Sequence, residues 1–337
     1  QGGASIEDRV FLNVAKRMMY YHPDDSTVTY KRNDVTQSIV QNWAFIFTHV
    51  AWSKHEVRNA FSRANSGKGK RGLLIKDFIR AKYMEMWTDF NDQLEDGAFV
   101  KPDPTTMAGI KAKQPVSLPY FVNEFTDTLF PGFDNVLGID PRVEQNWRNY
   151  KGTYAKLPSA QWDLYQSMSQ AMRKTMFKKM PHRGEHSTLQ TKAQDIIIAT
   201  DSDGLDDQEL AVQINQDITR RPGGGSEDPY AGDLQFRGVP IHWFPSLDGQ
   251  EIYATGTAGA ASYASNTANS NAGPRYMGLN AKTIRMVWHD EAYMEQMDVQ
   301  TDASQPWNRA LPFDSQANRI CRSRRHNWII SPSATLT

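Results

Sequence analysis

Residues 73–94 read LLIKDFIRAKYMEMWTDFNDQL, and this stretch decides the fold class. Ile75, Ile79, Tyr83, Met86, Phe90 and Leu94 recur at spacings of four and three, which makes one continuous apolar stripe along a helix. At about 1.5 Å per residue such a helix spans more than about 30 Å, enough to cross a domain. Gly97, with Pro102 and Pro104 beyond it, marks its expected end. On its N-terminal side, residues 64–72 form a glycine-rich basic loop carrying Lys68, Lys70 and Arg71. Gly67, Gly69 and Gly72 tolerate many backbone states, so whatever precedes the helix can swing about this loop.

Working upstream, Trp43 to Trp52 is a ten-residue run of strand-forming residues, apolar on both alternating faces. Such a strand needs cover on both faces, and cover from another subunit is expected. Thr27 to Tyr30 also reads as extended, whereas Val10, Phe11, Val14 and Met18 predict a modest helix broken at His22-Pro23. Downstream, 115–157 is rich in Pro, Gly and aromatics and reads as irregular structure with short strands. A second helix is predicted from Ser159, with the stripe Tyr165, Met168, Met172 and Met176. Ile196 to Ile198 is a short buried strand, and a third helix with Leu210, Ile214 and Ile218 follows, capped by Asp203. Strands are predicted at 239–244, at 283–288 and around 320–330, with a long Gly/Ala/Ser/Asn-rich loop over 254–274. Helices and strands interleave without regular βαβ alternation, an α+β pattern.

Composition narrows the function classes. The 337 residues carry 38 Lys plus Arg against 38 Asp plus Glu, a zero net charge that argues against a dedicated nucleic-acid binder. Neutrality and 11 % aromatic residues suit extensive contact with other chains. The single cysteine, Cys321, excludes an internal disulfide framework and points to a reducing cytosol. No window approaches the length of an apolar membrane span, and Gln1 to Ser5 lacks the features of a signal peptide.

The motifs that suggest chemistry are weak on inspection. Gly67 to Gly72 has the spacing of half a phosphate loop, but Leu73 and Leu74 stand where Lys and Ser or Thr are required. His182-Arg183-Gly184-Glu185-His186 matches H-x-x-E-H, an inverted zinc-protease pattern in which His182 and His186 would bind metal and Glu185 would activate water. Pro181 and Gly184 oppose the helix this chemistry needs. Asp201 to Asp207 resembles a calcium loop with its glycine at the wrong position, and reads better as a helix start. Gly223-Gly224-Gly225 follows a helix and is a stop signal. Cys321 lies among Arg322, Arg324 and Arg325, which would activate an exposed thiol, but in a strand it reads as a small buried hydrophobe. No enzyme and no cofactor is expected.

The order of these pieces resembles the major capsid proteins of tailed bacteriophages, the HK97-type fold. Residues 1–25 resemble that family's N-terminal arm, and 26–60, extended by the basic connector to 70, its β-hairpin E-loop. The helix Leu73 to Leu94, ending Asp92-Gln93-Leu94-Glu95-Asp96-Gly97, resembles the spine helix of the peripheral (P) domain, here 71–117. Gly109-Ile110 follows the spine within that range, whereas Trp147 to Tyr154, the Gly238-Val239-Pro240-Ile241 strand and Tyr276 to Asn280 fall where the family's axial (A) domain would lie, 118–300. Asn318 to Trp328 resembles the C-terminal strand that returns to the P domain, 301–337.

The resemblance implies a structural protein that self-assembles through pentamers and hexamers into an icosahedral shell around double-stranded DNA. Expected partners are portal and scaffolding proteins and a decoration protein; the expected location is the virion, after assembly in the host cytoplasm. Trp43, Phe45, Phe47, Trp52, Lys68, Lys70 and Arg71 are the expected subunit contacts, the last three facing carboxylates of a neighbour. Arg9, Lys16, Arg17, Lys76, Arg80 and Lys82 are the expected weak, non-specific DNA contacts. The chain opens directly at the arm, so the family's cleaved scaffolding segment is either already removed or replaced by a separate scaffold. The rivals are an encapsulin-like compartment around a cargo enzyme and, in another class, the zinc hydrolase.

Overall fold

The computed structural model describes residues 5–11, 36–62, 70–100, 102, 114–123, 135–154, 161–176, 195–214, 235–248, 276–301 and 307–332. The chain opens with β1 (Ser5–Phe11), β2 (Thr36–Asn42) and β3 (Ala44–Ser53), followed by α1 (Lys54–Ser62) and the long α2 (Lys70–Phe99). After a short helix at Leu118–Phe121 come β4 (Tyr150–Tyr154), α3 (Gln161–Met176), β5 (Ile196–Thr200) and α4 (Ser202–Ile214). The rest is strand: β6 (Gln235–Phe236), β7 (Val239–Trp243), β8 (Tyr276–Asn280), β9 (Ile284–Trp288), β10 (Glu295–Gln296), β11 (Gln300–Thr301), β12 (Asn308–Cys321) and β13 (Trp328–Pro332).

The helix predicted around Val10 and Phe11 is a strand in the structure. Ile6, Asp8 and Val10 are buried while Glu7 and Arg9 face water, a period of two that only a strand satisfies. Strand β1 pairs antiparallel with β2 from Ser5↔Asn42 to Phe11↔Thr36, so the two form one hairpin. Thr27 to Tyr30, Val14 and Met18 lie outside the described residues.

Two sheets organise the body. In the first, β12 is central: β3 pairs along one side, from Ser53↔Asn308 to Ala44↔Ala317, and β9, β10 and β11 pair along the other. Helix α2 packs on one face of this sheet through Tyr83 and Met86 against Val50, Leu311 and Phe313. The second sheet has the order β4-β13-β8-β5-β7-β6. Leu164, Met168 and Met172 of α3 bury one of its faces against Ile196, Ile198, Ile241, Tyr276 and Trp328. In the β6–β7 hairpin, Arg237 and Gly238 take φ of 53° and 79°, the left-handed pair that a tight two-residue turn requires.

Three predicted boundaries are corrected. Helix α2 runs past Gly97 to Phe99, because its last carbonyls are taken by Arg319 and need no glycine cap. Helix α4 is capped by Asp201, whose Oδ1 accepts from the Gly204 N–H at 2.8 Å, and Asp203 sits inside the first turn. The single strand predicted over 320–330 is two strands. The turn Arg324–His326 separates them, so the chain leaves the first sheet as β12 and enters the second as β13.

Candidate assembly interface

The surface that the sequence points to is built on β3. Its even-numbered face is covered from within the chain, since Val50 and half-buried Trp52 join the cluster under α2. The other face is open: Phe45 is 62 % and Phe47 63 % exposed. Their ladder partners on β12 are Gln316 and Asp314, and Asp314 in turn faces Glu295. This side of the sheet is thus an apolar pair flanked by polar and acidic groups. Among the described residues β3 pairs with β12 alone, which leaves its other edge without a strand.

Two of the predicted contacts are corrected. Trp43 is buried within the chain's own core, with Ile6, Val287 and Ile320, and meets the His289 ring edge-on at 5.2 Å. Trp52 turns toward α2 and does not share the Phe45–Phe47 face, because residues of opposite parity in a strand point to opposite sides. Lys70 and Arg71 fall in the first turn of α2, not in a loop. Lys68, Lys16, Arg17 and the His182–Glu185–His186 motif lie outside the described residues. Arg9 is exposed on the outer face of the β1–β2 hairpin, Arg80 is exposed on α2, and Lys82 bonds Glu85 at 3.0 Å. Lys76 lies on the same helix. The structure therefore gathers Lys76, Arg80 and Lys82 on one element and places Arg9 on another.

Sequence reasoning missed a second open corner. Trp307, 56 % exposed, stacks near His55 at 5.5 Å, and Lys54 Nζ lies 5.5 Å from its ring centroid. Beside it is a groove of about 510 Å³ lined by Trp52, Glu56, Thr301 and Arg309 among others.

Buried polar groups on the last strands hold these surfaces in place, and no motif announced them. Arg319 donates to the carbonyls of Leu94, Gly97 and Val116 at 2.8–3.3 Å, closing the C-terminal end of α2 onto β12. Burial pushes its guanidinium down to about 10, which leaves it charged at neutral pH. Next to it, Asn318 accepts from the Val116 N–H and donates to the Asn42 carbonyl, tying the β2–β3 junction to the sheet. Arg324 donates to the Phe121 and Trp147 carbonyls and to Asn149 Oδ1. Asp8 anchors the hairpin through Arg322 Nε at 2.7 Å and Arg285 at 3.7 Å. Burial, and then the neighbouring Arg322, hold Arg285 below the usual guanidinium range. Cys321 is fully buried, and burial pushes its thiol up to about 12, outweighing the pull of Arg324. It packs as a small hydrophobe.

Among the described residues no group of three His, Cys, Asp or Glu could hold a metal ion. No helix among them is long and apolar enough to cross a membrane. The surface offers shape and charge.

A long helix lying across a sheet of strands far apart in sequence, a hairpin before it and a second sheet that the chain's last strand completes define the class: an α+β fold of the HK97 type. No family model and no curated protein matches the sequence. Solved structures do match. A chain of the cyanophage A-1(L) capsid asymmetric unit superposes with a TM-score of 0.55 at 10 % identity, over 98 % of this chain and 88 % of that one. Mycobacterium phage Bobi gives 0.49 at 10 % identity over 99 % and 87 %. The capsid of Staphylococcus phage Andhra gives 0.48 at 10 % identity over 98 % and 81 %. The chain shares its fold with the cyanophage capsid chain over nearly its whole length.

Proposed function

We propose that this protein is the major capsid protein of a tailed bacteriophage, a structural subunit that assembles with copies of itself into an icosahedral shell around packaged double-stranded DNA. The observation that carries the reading is the near-complete match of the fold to the cyanophage capsid chain. The exposed Phe45–Phe47 face on an edge strand supports it, because a lone subunit would leave that apolar pair in water. The β1–β2 hairpin would be the extended loop, α2 with the β12-centred sheet the peripheral domain, and the β13-containing sheet the axial domain. Phe45, Phe47, Lys68, Lys70 and Arg71 would face neighbouring subunits.

DNA contact in this reading is weak and salt-sensitive. Arg9, exposed on the hairpin, is a candidate, as are Lys16 and Arg17 in the hairpin connection. Lys76, Arg80 and Lys82 share α2 with a run of carboxylates from Glu85 to Asp96, which favours a protein partner over DNA on that helix. Portal, scaffolding and decoration proteins would complete the assembly, and the shell would form in the host cytoplasm and end in the virion.

Negative-stain microscopy of the purified chain should show closed particles. Light scattering that returned a stable species near the 38.3 kDa chain mass at physiological salt would refute self-assembly. Particles filled by a cargo protein and free of nucleic acid would point to an encapsulin-like compartment.

A further inference from the structure

Helix α2 carries its charges against its own dipole. Lys70, Arg71, Lys76, Arg80 and Lys82 occupy its N-terminal half with Asp77 the one acid among them. Glu85, Asp89, Asp92, Glu95 and Asp96 occupy its C-terminal half, which has no Lys or Arg. A helix favours anions in its first turn and cations in its last, so Lys70 and Arg71 at one end and Asp96 near the other run against its dipole. Arg319 supplies a cation at the C-terminal end from inside the molecule, whereas Asp89, Asp92 and Asp96 face water. Lys82 pairs with Glu85 within the chain at the boundary between the halves, and on either side of that pair the two halves differ in sign.

The same helix exposes apolar side chains between its two charged halves. Met84 is 61 % and Trp87 38 % exposed. With Arg80 and Asn91 they fall at i, i+4, i+7 and i+11, on one flank. Trp87 meets Phe90 edge-on at 5.8 Å, which fixes the ring where it projects. A flank with Met and Trp at its centre, a basic stretch on one side and an acidic stretch on the other is complementary to itself in one orientation. Antiparallel, the basic half of one helix runs along the acidic half of the other; parallel, like charges would meet.

We infer that this flank of α2 docks antiparallel on the same flank of a second copy of the chain, Met84 of each copy against Trp87 of the other. The contact is isologous, so it closes on a two-fold axis and joins two subunits and no more. Placing Met84 against Trp87 sets Arg80 opposite Asn91 of the second copy, with Asp92 beside it, and Lys82 opposite Asp89. The sulfur–aromatic contact is made twice, and so is the charge pairing. Packaged DNA would not serve as the occupant, because the carboxylate half would repel its phosphates. The inference rests on the shell reading above and adds a specific two-fold contact to it.

The test uses the full chain with Met84→Cys and Trp87→Cys together. Cys321 is buried and contributes no accessible thiol. Assembled particles treated with a short bis-maleimide should yield covalent dimers on a denaturing gel, with far less from either single cysteine, since Met84 faces Trp87 and not itself. A second set of variants does not depend on cysteine. Arg80→Glu with Lys82→Glu, and separately Asp89→Lys with Asp92→Lys, should each lower particle yield, and all four changes in one chain should restore it; Glu85, the partner of Lys82 within the chain, is left unchanged so that restoration cannot come from that pair. Parent particles that form but give no dimer, with no restoration by the fourfold exchange, would overturn the contact alone. Loss of nucleic acid with particle yield unchanged on reversing Arg80 and Lys82 would assign the basic half to DNA and also overturn it. A parent chain that forms no particle would overturn the shell reading, and this contact with it.

Discussion

Gly278→Ala should destabilise the second sheet. Gly278 lies on β8 directly opposite Trp328 of β13, and the indole covers the glycine backbone. A Cβ at position 278 would sit 2.5 Å from Trp328 Cδ2 and closer still to Cε2 and Nε1. Ordinary carbon contacts lie near 3.5–4.0 Å, so the ring would have to retreat by more than about 1 Å. It has nowhere to go. Trp328 is completely buried, packed among Tyr154, Met168, Ile198, Tyr276 and Ile330, and its own strand is held by β4 on the far side. Overpacking in a closed core typically costs about 1–3 kcal/mol, and an indole hemmed in on every side belongs at the upper end of that range. For a domain of 150–250 residues, about 3 kcal/mol lowers Tm by roughly 6–12 °C. The assay is a thermal melt of the purified chain, alongside its soluble yield. A double-mutant cycle makes the result specific: Trp328→Leu vacates the space the new Cβ needs, so Gly278→Ala should cost far less in that background than alone. A parent-like Tm for Gly278→Ala, or losses that simply add in the double variant, would refute the close packing of indole on glycine.

Three further outcomes follow from the buried polar groups. Arg319→Met removes the donor that closes α2, takes one hydrogen bond from each of three carbonyls, and should destabilise the chain by about 2–4 kcal/mol; hydrogen exchange of the amides at the end of α2 should speed up, and unchanged exchange would remove Arg319 from its capping role. Asp8→Asn leaves Arg322 and Arg285 facing each other without a countercharge, so proteolysis of the β1–β2 hairpin should accelerate while the two sheets stay protected; equal protection in parent and variant would count against the anchor. Cys321 keeps its proton up to about pH 12 in the folded chain, whereas the unfolded thiol loses it near 9.0, so the unfolded state binds fewer protons between those values and stability falls as pH rises through that window. Cys321→Ala should show a shallower decline between pH 9 and 11 than the parent, and identical slopes would contradict the burial of the thiol.

How much of this was legible in the sequence depends on where each signal resides. The long helix announced itself because its stripe of Tyr83, Met86 and Phe90 packs on a sheet of the same chain, and burial on one side is what periodicity records. The N-terminal strand hid because the residues after Phe11 continue an apolar spacing compatible with a helix, whereas its pairing partner, Thr36–Asn42, is remote in sequence. Arg319 and Arg324 gave no periodic signal at all. Their role depends on carbonyls of residues 94–149 brought to them only by the folded topology, so beside Cys321 they read as a cluster able to activate a thiol.

The candidate interface divides on the same line. The run from Trp43 to Trp52 looked doubly apolar, and the chain itself covers only one of its faces. The Val50 and Trp52 face is satisfied by α2, Trp43 is consumed by the hairpin core, and Phe45 with Phe47 is what remains. Sequence pattern registers that a residue prefers to leave water and is blind to whether its own chain or another supplies the cover. The charge layout of α2 escapes this ambiguity in part. Its lysines and arginines gather in the N-terminal half and its carboxylates in the C-terminal half, a segregation readable from residues 70–99 themselves. What the coordinates add is that Met84 and Trp87 stand in water on the flank between the two charged halves. That converts an electrostatic oddity into a surface with one favoured partner and one favoured direction.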